Sequence, residues 1–289
     1  MSVKVLVAGA NGQLGRALLA AIPDSIQVRG VSRQELDVTD LSAVQAMIES
    51  WRPEVIINAA AYTAVDKAES EPDAAEQGNV TAPRNLALAA RTGAARLIHV
   101  STDFVFDGRG CSAYTPDSVT IPLGVYGRTK LAGEQVVQQV LGARALTVRT
   151  AWVYDATGKN FLRTMLRLMQ ERGAVKVVAD QIGTPTSAAS LAGVIWQFAA
   201  RADLSGVYHW SDAGVASWYD FAVAIAEEAV ATGILKNMPI ITPIATAEYP
   251  TPAQRPAFSV LDKSATYAAL GLKPAHWRQE LRKVMQELM

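Results

Sequence analysis

The sequence has little cysteine, little histidine and no excess of charge. Cys111 is the only cysteine among the 289 residues, so an intrachain disulfide is impossible, and no neighbouring base could activate its thiol. His99, His209 and His276 are far apart and show no spacing typical of metal ligands. Basic and acidic residues number 27 each, and this balance argues against a general attraction to nucleic acid or to anionic membranes.

A long hydrophobic run is also lacking. The longest apolar stretch, around 55–65, is interrupted by polar residues and is too short to cross a bilayer. The segment 1–8 is too short and too weakly charged for a signal peptide. We therefore expect a cytoplasmic protein, whose length suits one large or two modest domains.

A short β-branched run at 4–8 leads directly into a glycine-rich loop. Gly9, Gly12 and Gly15 follow it and precede a helical stretch. In this context Gly9 can make a tight turn, Gly12 lets a pyrophosphate approach the backbone, and Gly15 lets the helix pack on the strand. The alternative is an ordinary strand-to-helix turn, but the spacing favours a dinucleotide site at the helix N-terminus.

The second predicted strand, 26–31, ends at Ser32 and Arg33. An acidic residue there would accept a hydrogen bond from the ribose 2′-hydroxyl of NAD, whereas serine and arginine donate to a 2′-phosphate. The pattern predicts a preference for NADPH without excluding NADH, and it leaves open a solvated Arg33. Asp37 either bonds the adenine amine or is only a turn residue.

The third predicted strand, 54–58, opens into a run of small residues that would let a cofactor lie against the backbone: Ala59, Ala60 and Ala61, followed by Tyr62 and Thr63. The charged residues at 66–76 are interpreted as mostly solvated. One long helix, at about 73–91, is predicted to follow.

A possible catalytic group is divided between a strand end and a helix. Thr102 and Asp103 follow the strand predicted at 96–100, and Tyr126 and Lys130 lie four residues apart on a helix predicted at about 125–141. An ammonium one turn from a phenol lowers the phenol's pKa, so that it can donate a proton to a developing alkoxide. Strand-end capping and an exposed helix face are the structural alternatives. Delivery of both motifs to one sheet edge favours catalysis.

The second half of the sequence contains fewer motifs that indicate a function. Trp152 follows the strand predicted at 143–150 and suits a sugar or base face, with simple core packing as the alternative. Arg255, in a proline-rich loop at 249–256, either clamps a phosphate or lies on the surface. Helices are predicted near 160–171, 187–200, 217–231 and 274–288.

The longer motifs resemble those of the dTDP-4-dehydrorhamnose reductase family, within the extended short-chain dehydrogenase/reductase superfamily. They lie at 58–72, 101–108, 125–134, 149–154 and 249–256, so the resemblance spans nearly the whole chain. We therefore predict an α/β fold: a Rossmann-type, doubly wound parallel sheet over 1–150, to which some later segments return, and a smaller, mainly substrate-binding domain over 151–289.

The resemblance implies reduction of the C4 ketone of dTDP-4-dehydro-6-deoxy-L-mannose to dTDP-L-rhamnose by NADPH. Tyr126 would donate the proton, Lys130 would hold the nicotinamide ribose, and Thr102 would bind the substrate carbonyl. Contacts to the deoxysugar are implied for Thr102, Asp103 and Trp152, with Val65 lining the same pocket. The residues implied to line the cofactor are Gly12, Gln13, Leu14, Ser32, Arg33, Asp37, Val38, Ala61, Tyr62 and Thr63.

One departure concerns metal-dependent assembly. Some members of the family form dimers through Mg²⁺, held by acidic residues near the first helix and in the helix after the loop at 183–185. Here those positions read Arg16-Ala17 and Ser187 to Ser190, with no carboxylate. We expect no Mg²⁺ bridge, and a monomer or weak homodimer.

Two other functions stay open. One is a reductase that gives another C4 epimer or acts on a related nucleotide sugar. The other is a nucleotide-binding regulatory subunit without activity.

Overall fold

The structure is a computed structural model that describes residues 3–289. Its strands are β1 (Val3–Ala8), β2 (Ile26–Val31), β3 (Val55–Asn58), β4 (Arg96–Thr102), β5 (Ala145–Thr150), β6 (Val153–Tyr154), β7 (Ala174–Val178), β8 (Ile182–Gly183), β9 (Thr186–Ser187), β10 (Gly206–His209), β11 (Ala216–Ser217) and β12 (Ile240–Ile244). Its α-helices are α1 (Gln13–Ala20), α2 (Leu41–Trp51), α3 (Val65–Ala68), α4 (Pro72–Glu76), α5 (Ala82–Thr92), α6 (Val125–Leu141), α7 (Phe161–Arg172), α8 (Ala188–Ala199), α9 (Trp218–Ala231), α10 (Ser264–Leu270) and α11 (Trp277–Gln286).

Six parallel strands form the central sheet within residues 3–289, in the order β2-β1-β3-β4-β5-β10. Every residue of β3 and of β5 is buried, as expected for strands covered by helices on both faces. From β1 the chain moves to β2 on one side and then to β3 on the other. The loops after β1 and β3 therefore diverge and leave a crevice at the carboxyl edge. The predicted Rossmann-type sheet is confirmed.

The register of β4 and β5 aligns the ends of these two strands. Thr102 lies opposite Thr150, so the residues that follow each strand leave the sheet side by side. Helix α6 packs against β4, and its bounds are those predicted from the sequence. The Thr102 and Tyr126 motifs are thus brought to one edge, next to the start of the Trp152 segment.

A second hydrophobic core lies outside the sheet. It is built from α7, α9, α11 and β7, with large side chains such as Phe221 and Leu162 fully buried. The chain between these elements returns to the sheet, because α8 packs in the sheet's core and β10 adds the last strand. The division at residue 150 stays a prediction, and the returning segment is 188–209.

The long helix predicted at about 73–91 is confirmed as one helical run over 72–92, with a π-helical turn inside it. A π-helical turn at Gln77–Thr81 separates α4 from α5. Such turns are frequent at functional sites because they turn side chains off the regular helical face. The sequence reasoning also missed α10 and the pairing of β7 with β12, which lie outside the motifs.

No helix in the part of the chain that the structure describes is both long enough and apolar enough to span a membrane.

Candidate active site

A cavity of about 680 Å³ opens at the carboxyl edge of β1, β2 and β3. Most of the residues predicted to line a cofactor line this cavity: Gly9, Gly12, Ser32, Arg33, Asp37, Val38, Ala59, Ala60, Ala61 and Tyr62. Of the other residues predicted to contact the cofactor, none lines it: Gln13, Leu14, Thr63, Tyr126 and Lys130. Gln13 accepts a hydrogen bond from Asn160 at 2.9 Å, and Leu14 is buried in the core of the sheet.

The glycines have the geometry that a dinucleotide loop needs. Gly9 has a φ of +86°, which a side chain would strain. A Cβ on Gly15 would lie 2.1 Å from the Gly9 carbonyl oxygen, so only glycine lets α1 pack this close. Gly12 caps α1 without a side-chain hydrogen bond, which leaves the first-turn N–H groups available to an anion. The residues present therefore fit a dinucleotide.

Ser32 and Arg33, the two residues that follow β2, have different surroundings. Arg33 is exposed at the cavity wall, and no ion pair of Arg33 is seen among residues 3–289. The Ser32 hydroxyl instead donates to Glu35 at 2.7 Å, and the Ser32 N–H donates to the same oxygen. These bonds hold the pKa of Glu35 below its usual value. Glu35 was not singled out in the sequence.

Two loops of the cavity are fixed by buried asparagines. In the π-helical turn, Asn79 accepts from the Tyr62 N–H at 2.9 Å and donates to the Tyr62 carbonyl at 3.1 Å. Asn85 donates to the Val38 and Thr39 carbonyls. Asp37 accepts from the Thr39 N–H and hydroxyl, so it acts as a turn residue at the cavity wall. No sequence pattern pointed to the asparagines, because their partners are distant in sequence.

The Thr102 and Tyr126 motifs, predicted to be catalytic, meet beside the cavity. Lys130 is buried and donates to the Val100 carbonyl of β4 at 2.7 Å. Thr102 is buried at the end of β4, with its hydroxyl 3.1 Å from an oxygen of Asp103. The Tyr126 ring packs edge-on against Phe104, with 5.5 Å between centroids.

The pKa of Tyr126 is raised, not lowered as the sequence-based expectation had it. Desolvation raises it to about 12, a hydrogen bond with Thr102 lowers it in part, and the charge of Asp103 raises it. Lys130 is not among these causes, so the structure gives no support to the expectation that its ammonium lowers the pKa of Tyr126. Burial lowers the pKa of Lys130 itself to about 8.

Asp103 is buried beside the same group. Burial raises its pKa to about 6, against hydrogen bonds with Ser259 and Thr102 that lower it. Ser259 lies far along the chain and reaches the edge because its N–H donates to the Ile182 carbonyl. Sequence reasoning did not find Ser259.

The charged segment after the third strand is mostly exposed, as the sequence interpretation expected, but three of its carboxylates bind other parts of the chain. Glu69 accepts from the Val125 N–H at 2.7 Å and so caps the helix that carries Tyr126. Glu71 accepts from the Tyr62 hydroxyl at 2.7 Å. Asp66 pairs with Arg255 at 2.9 Å. Val65, predicted to line the sugar pocket, is half-buried at the start of α3 in this segment.

Arg255 is engaged within the protein. Besides Asp66, it donates to the Thr251 hydroxyl and the Ala253 carbonyl of its own loop. The pair holds the pKa of Asp66 below its usual value. Arg255 therefore ties the loop at 249–256 to α3, and a phosphate would compete with Asp66 for its guanidinium.

A buried ion pair supports the catalytic helix. Arg149 in β5 makes three hydrogen bonds of 2.8–3.2 Å to Glu134, one turn beyond Lys130. Both side chains are about 95% buried, at 5% and 6% exposure. The guanidinium also donates to the Pro116 carbonyl and lies over the Phe106 ring. The pair fixes α6 against β5 and against the loop that precedes the helix.

Trp152 lies two residues beyond β5, whose last residue, Thr150, pairs with Thr102. It is half-buried, and its ring stacks on Trp218 at 3.5 Å. No cluster of three or more His, Cys, Asp or Glu side chains that could hold a metal occurs within residues 3–289.

Comparison with known proteins identifies the family. The family model described as "RmlD substrate binding domain" matches residues 3–289. The chain belongs to the RmlD family. The family resemblance drawn from the motifs is therefore confirmed.

Named relatives cover the chain almost completely. A dTDP-4-dehydrorhamnose reductase of Aggregatibacter actinomycetemcomitans is 42% identical over 97% of this chain and 98% of its own length. A probable dTDP-4,6-dihydroxy-2-methyloxan-3-one 4-ketoreductase of Streptomyces antibioticus is 39% identical over 98% of this chain and 95% of its own length.

A solved structure of this RmlD-family fold contains a cofactor. The dTDP-4-dehydrorhamnose reductase of Bacillus anthracis in complex with NADP superposes with a TM-score of 0.93 and 36% identity, over 99% of this chain and 100% of the other.

Proposed function

We propose that this chain is an NADPH-dependent reductase that converts the C4 ketone of dTDP-4-dehydro-6-deoxy-L-mannose to dTDP-L-rhamnose, the last step of dTDP-rhamnose synthesis. The observation that carries the proposal is the meeting of Thr102, Tyr126 and Lys130 at one sheet edge, beside a cavity with dinucleotide geometry. Relatives of this family that carry the reductase name supply the substrate class.

Tyr126 is suited to donate the proton that the ketone oxygen gains. A pKa of about 12 keeps the phenol protonated at neutral pH. Thr102 and Tyr126 then offer donors where negative charge develops, and a donor of this kind contributes on the order of 3 kcal/mol. When bound, NADPH supplies the reducing equivalent for C4. Lys130, cationic below its pKa of about 8, would hold the cofactor's ribose.

NADPH is the proposed cofactor, and Arg33 is its proposed 2′-phosphate ligand. The guanidinium is exposed at the cavity wall, whereas the Ser32 hydroxyl is already bonded to Glu35. The Glu35 carboxylate could accept from the ribose 2′-hydroxyl of NADH, so NADH is proposed to be used as well. Its efficiency is proposed to be lower, because it lacks the phosphate that Arg33 would bind. The NADP complex of the Bacillus anthracis relative supports the preference.

The sugar is proposed to contact Thr102, Asp103, Val65 and Trp152. Arg255 is proposed to affect sugar binding indirectly, through the loop that it holds in place. Its guanidinium already donates hydrogen bonds to Asp66, Thr251 and Ala253. The alternative, a phosphate clamp, requires Arg255 to leave Asp66.

The test follows NADPH absorbance with the ketosugar generated in situ from dTDP-glucose by the upstream enzymes. We expect oxidation of NADPH, with dTDP-L-rhamnose identified by NMR as the product. An intact protein that binds NADPH but does not oxidise it would contradict the proposal.

A second candidate is a reductase of a related nucleotide sugar or one that forms the other C4 epimer. The Streptomyces relative, named for a different ketosugar at similar identity, favours keeping it. NMR of the product separates the epimers. A nucleotide-binding regulatory subunit is disfavoured, since it would not need an intact Thr102, Tyr126 and Lys130.

We further propose that the chain acts without a Mg²⁺ bridge, as a monomer or weak homodimer. Arg16, at one of the positions where relatives carry acids, pairs with Asp155. Light scattering with and without chelator tests this, and a dimer that dissociates in chelator would contradict it.

A further inference from the structure

Trp152 has an unusual backbone for a bulky residue. Its φ is +49°, in the left-handed region that favours glycine. Such conformations persist only where surrounding contacts hold them, and they concentrate at functional sites. Trp152 directly follows Ala151 at the carboxyl end of β5, beside the edge where Thr102 lies. The contacts that hold Trp152 therefore bear on the substrate site.

Three contacts hold this residue. The Trp152 and Trp218 indoles stack in parallel, with centroids 3.5 Å apart and an interplanar angle of 8°. A Cβ placed on Gly183 would lie 2.7–2.9 Å from indole atoms of Trp152, so Gly183 approaches as closely as a residue can. The Trp152 carbonyl accepts from the Thr186 N–H at 3.1 Å.

One of these partners, Gly183, lies in a small ribbon, and Trp218 directly follows that ribbon. Strands β8 and β11 pair in antiparallel fashion, with Ala216 opposite Gly183. Ser217 ends β11 and caps α9 through a capping box with Asp220, which fixes Trp218 in the first turn. Phe161 packs against the Trp218 ring at 4.6 Å. The ribbon thus sets Gly183 and Trp218 against the same indole.

We propose that Trp218 and Gly183 are positioning residues that hold the Trp152 indole for contact with the sugar nucleotide. This inference rests on the proposed function, in which Trp152 contacts the deoxysugar. Trp218 covers one face of the Trp152 ring, so the substrate meets the other face or the edge. The left-handed backbone conformation of Trp152 is strained. The stack with Trp218 offsets that strain before the substrate binds.

The test compares Trp218→Leu and Trp218→Phe with wild type. Loss of the stack in Trp218→Leu should raise KM for the sugar nucleotide about three- to tenfold and leave KM for NADPH within about twofold. Trp218→Phe keeps an aromatic partner and should recover most of the loss. Near-UV circular dichroism should lose the coupled indole signal in Trp218→Leu. The matched control is Trp51→Leu, a half-buried tryptophan beside Lys4 at the opposite end of the sheet.

Gly183→Ala perturbs the same indole without touching Trp218. The backbone of Gly183 is not in the left-handed region, so the added methyl acts through its overlap with Trp152. It should raise the same KM and alter the same dichroism. A Trp218→Leu enzyme that loses the indole signal and keeps its KM for the sugar nucleotide would overturn this inference alone. A wild-type protein without turnover would overturn the proposed function and the substrate role of Trp152 together.

Discussion

The proposed dinucleotide cavity and the proposed sugar-side edge are built in different ways. The cavity is lined by loops that directly follow β1, β2 and β3 and by part of the segment 71–82, and much of its wall is backbone and small side chains. The sugar side combines Thr102 after β4, Tyr126 on α6, Trp152 after β5, Gly183 on β8 and Ser259 near the C-terminal elements. A site formed mainly by backbone can be predicted from the spacing of glycines and small residues in the sequence. A site formed by side chains that are distant in sequence depends on contacts that this spacing does not reveal.

The segment at 65–71 shows the same contrast and joins the two regions. Glu71 bonds Tyr62 at the cavity, Glu69 caps the helix of Tyr126, and Asp66 holds the loop of Arg255. Its composition indicates a solvated polar stretch, and only the fold supplies the partners. This segment therefore contacts both regions.

The largest effect is expected where the two regions meet. Tyr126→Phe removes the proton donor, so kcat should fall about 10²–10⁴-fold, while the Kd for NADPH changes little because the ring stays against Phe104. Steady-state kinetics and NADPH titration measure both. Tyr219→Phe on α9 is the control. Turnover near that of wild type in Tyr126→Phe would refute the proton-donor role.

A substitution in the cofactor cavity should change the use of NADPH and leave binding of the sugar nucleotide unchanged. Arg33→Ala removes the proposed 2′-phosphate ligand, so kcat/KM for NADPH should fall about tenfold or more, while the value for NADH is kept. Arg29→Ala, on the strand that precedes Arg33 and outside the cavity wall, is the matched control. Equal losses with NADPH and NADH would mean that Arg33 does not read the phosphate.

The pH dependence of kcat/KM should reflect the titration of two groups, Asp103 and Lys130. As pH falls through about 6, Asp103 loses its charge, and as pH rises through about 8, Lys130 loses its charge. We therefore expect kcat/KM to be highest between these values, while Tyr126, with a pKa of about 12, stays protonated. In Asp103→Asn the acidic limb should disappear. A wild-type profile without a basic limb near pH 8 would argue against the Lys130 assignment.

A sugar-side loop change should be smaller and should spare the cofactor. Asp66→Asn removes the charge that holds Arg255, and because the pair is partly exposed we expect KM for the sugar nucleotide to rise only about two- to fivefold. Glu171→Gln, in the exposed pair with Arg167, is the control. A lower KM in Asp66→Asn would instead indicate that Arg255, once released, clamps the substrate phosphate.

The parallel sheet, the bounds of α6 and the glycine loop could be predicted from the sequence. They follow from local causes: buried β-branched runs, helical spacing and positions where only glycine fits. The sequence also placed Thr102 and Tyr126 at one edge, because parallel strands end on the same side.

The tertiary structure alone decided the environment of those groups. It desolvated the half-buried Tyr126 so that its pKa rises instead of falling, turned Ser32 toward Glu35, paired Arg255 with Asp66 and set Trp218 against Trp152. Each of these effects depends on desolvation or on a partner's exact distance. Charge and packing energies change steeply with both, and residues that are far apart in the sequence give no local signal of either.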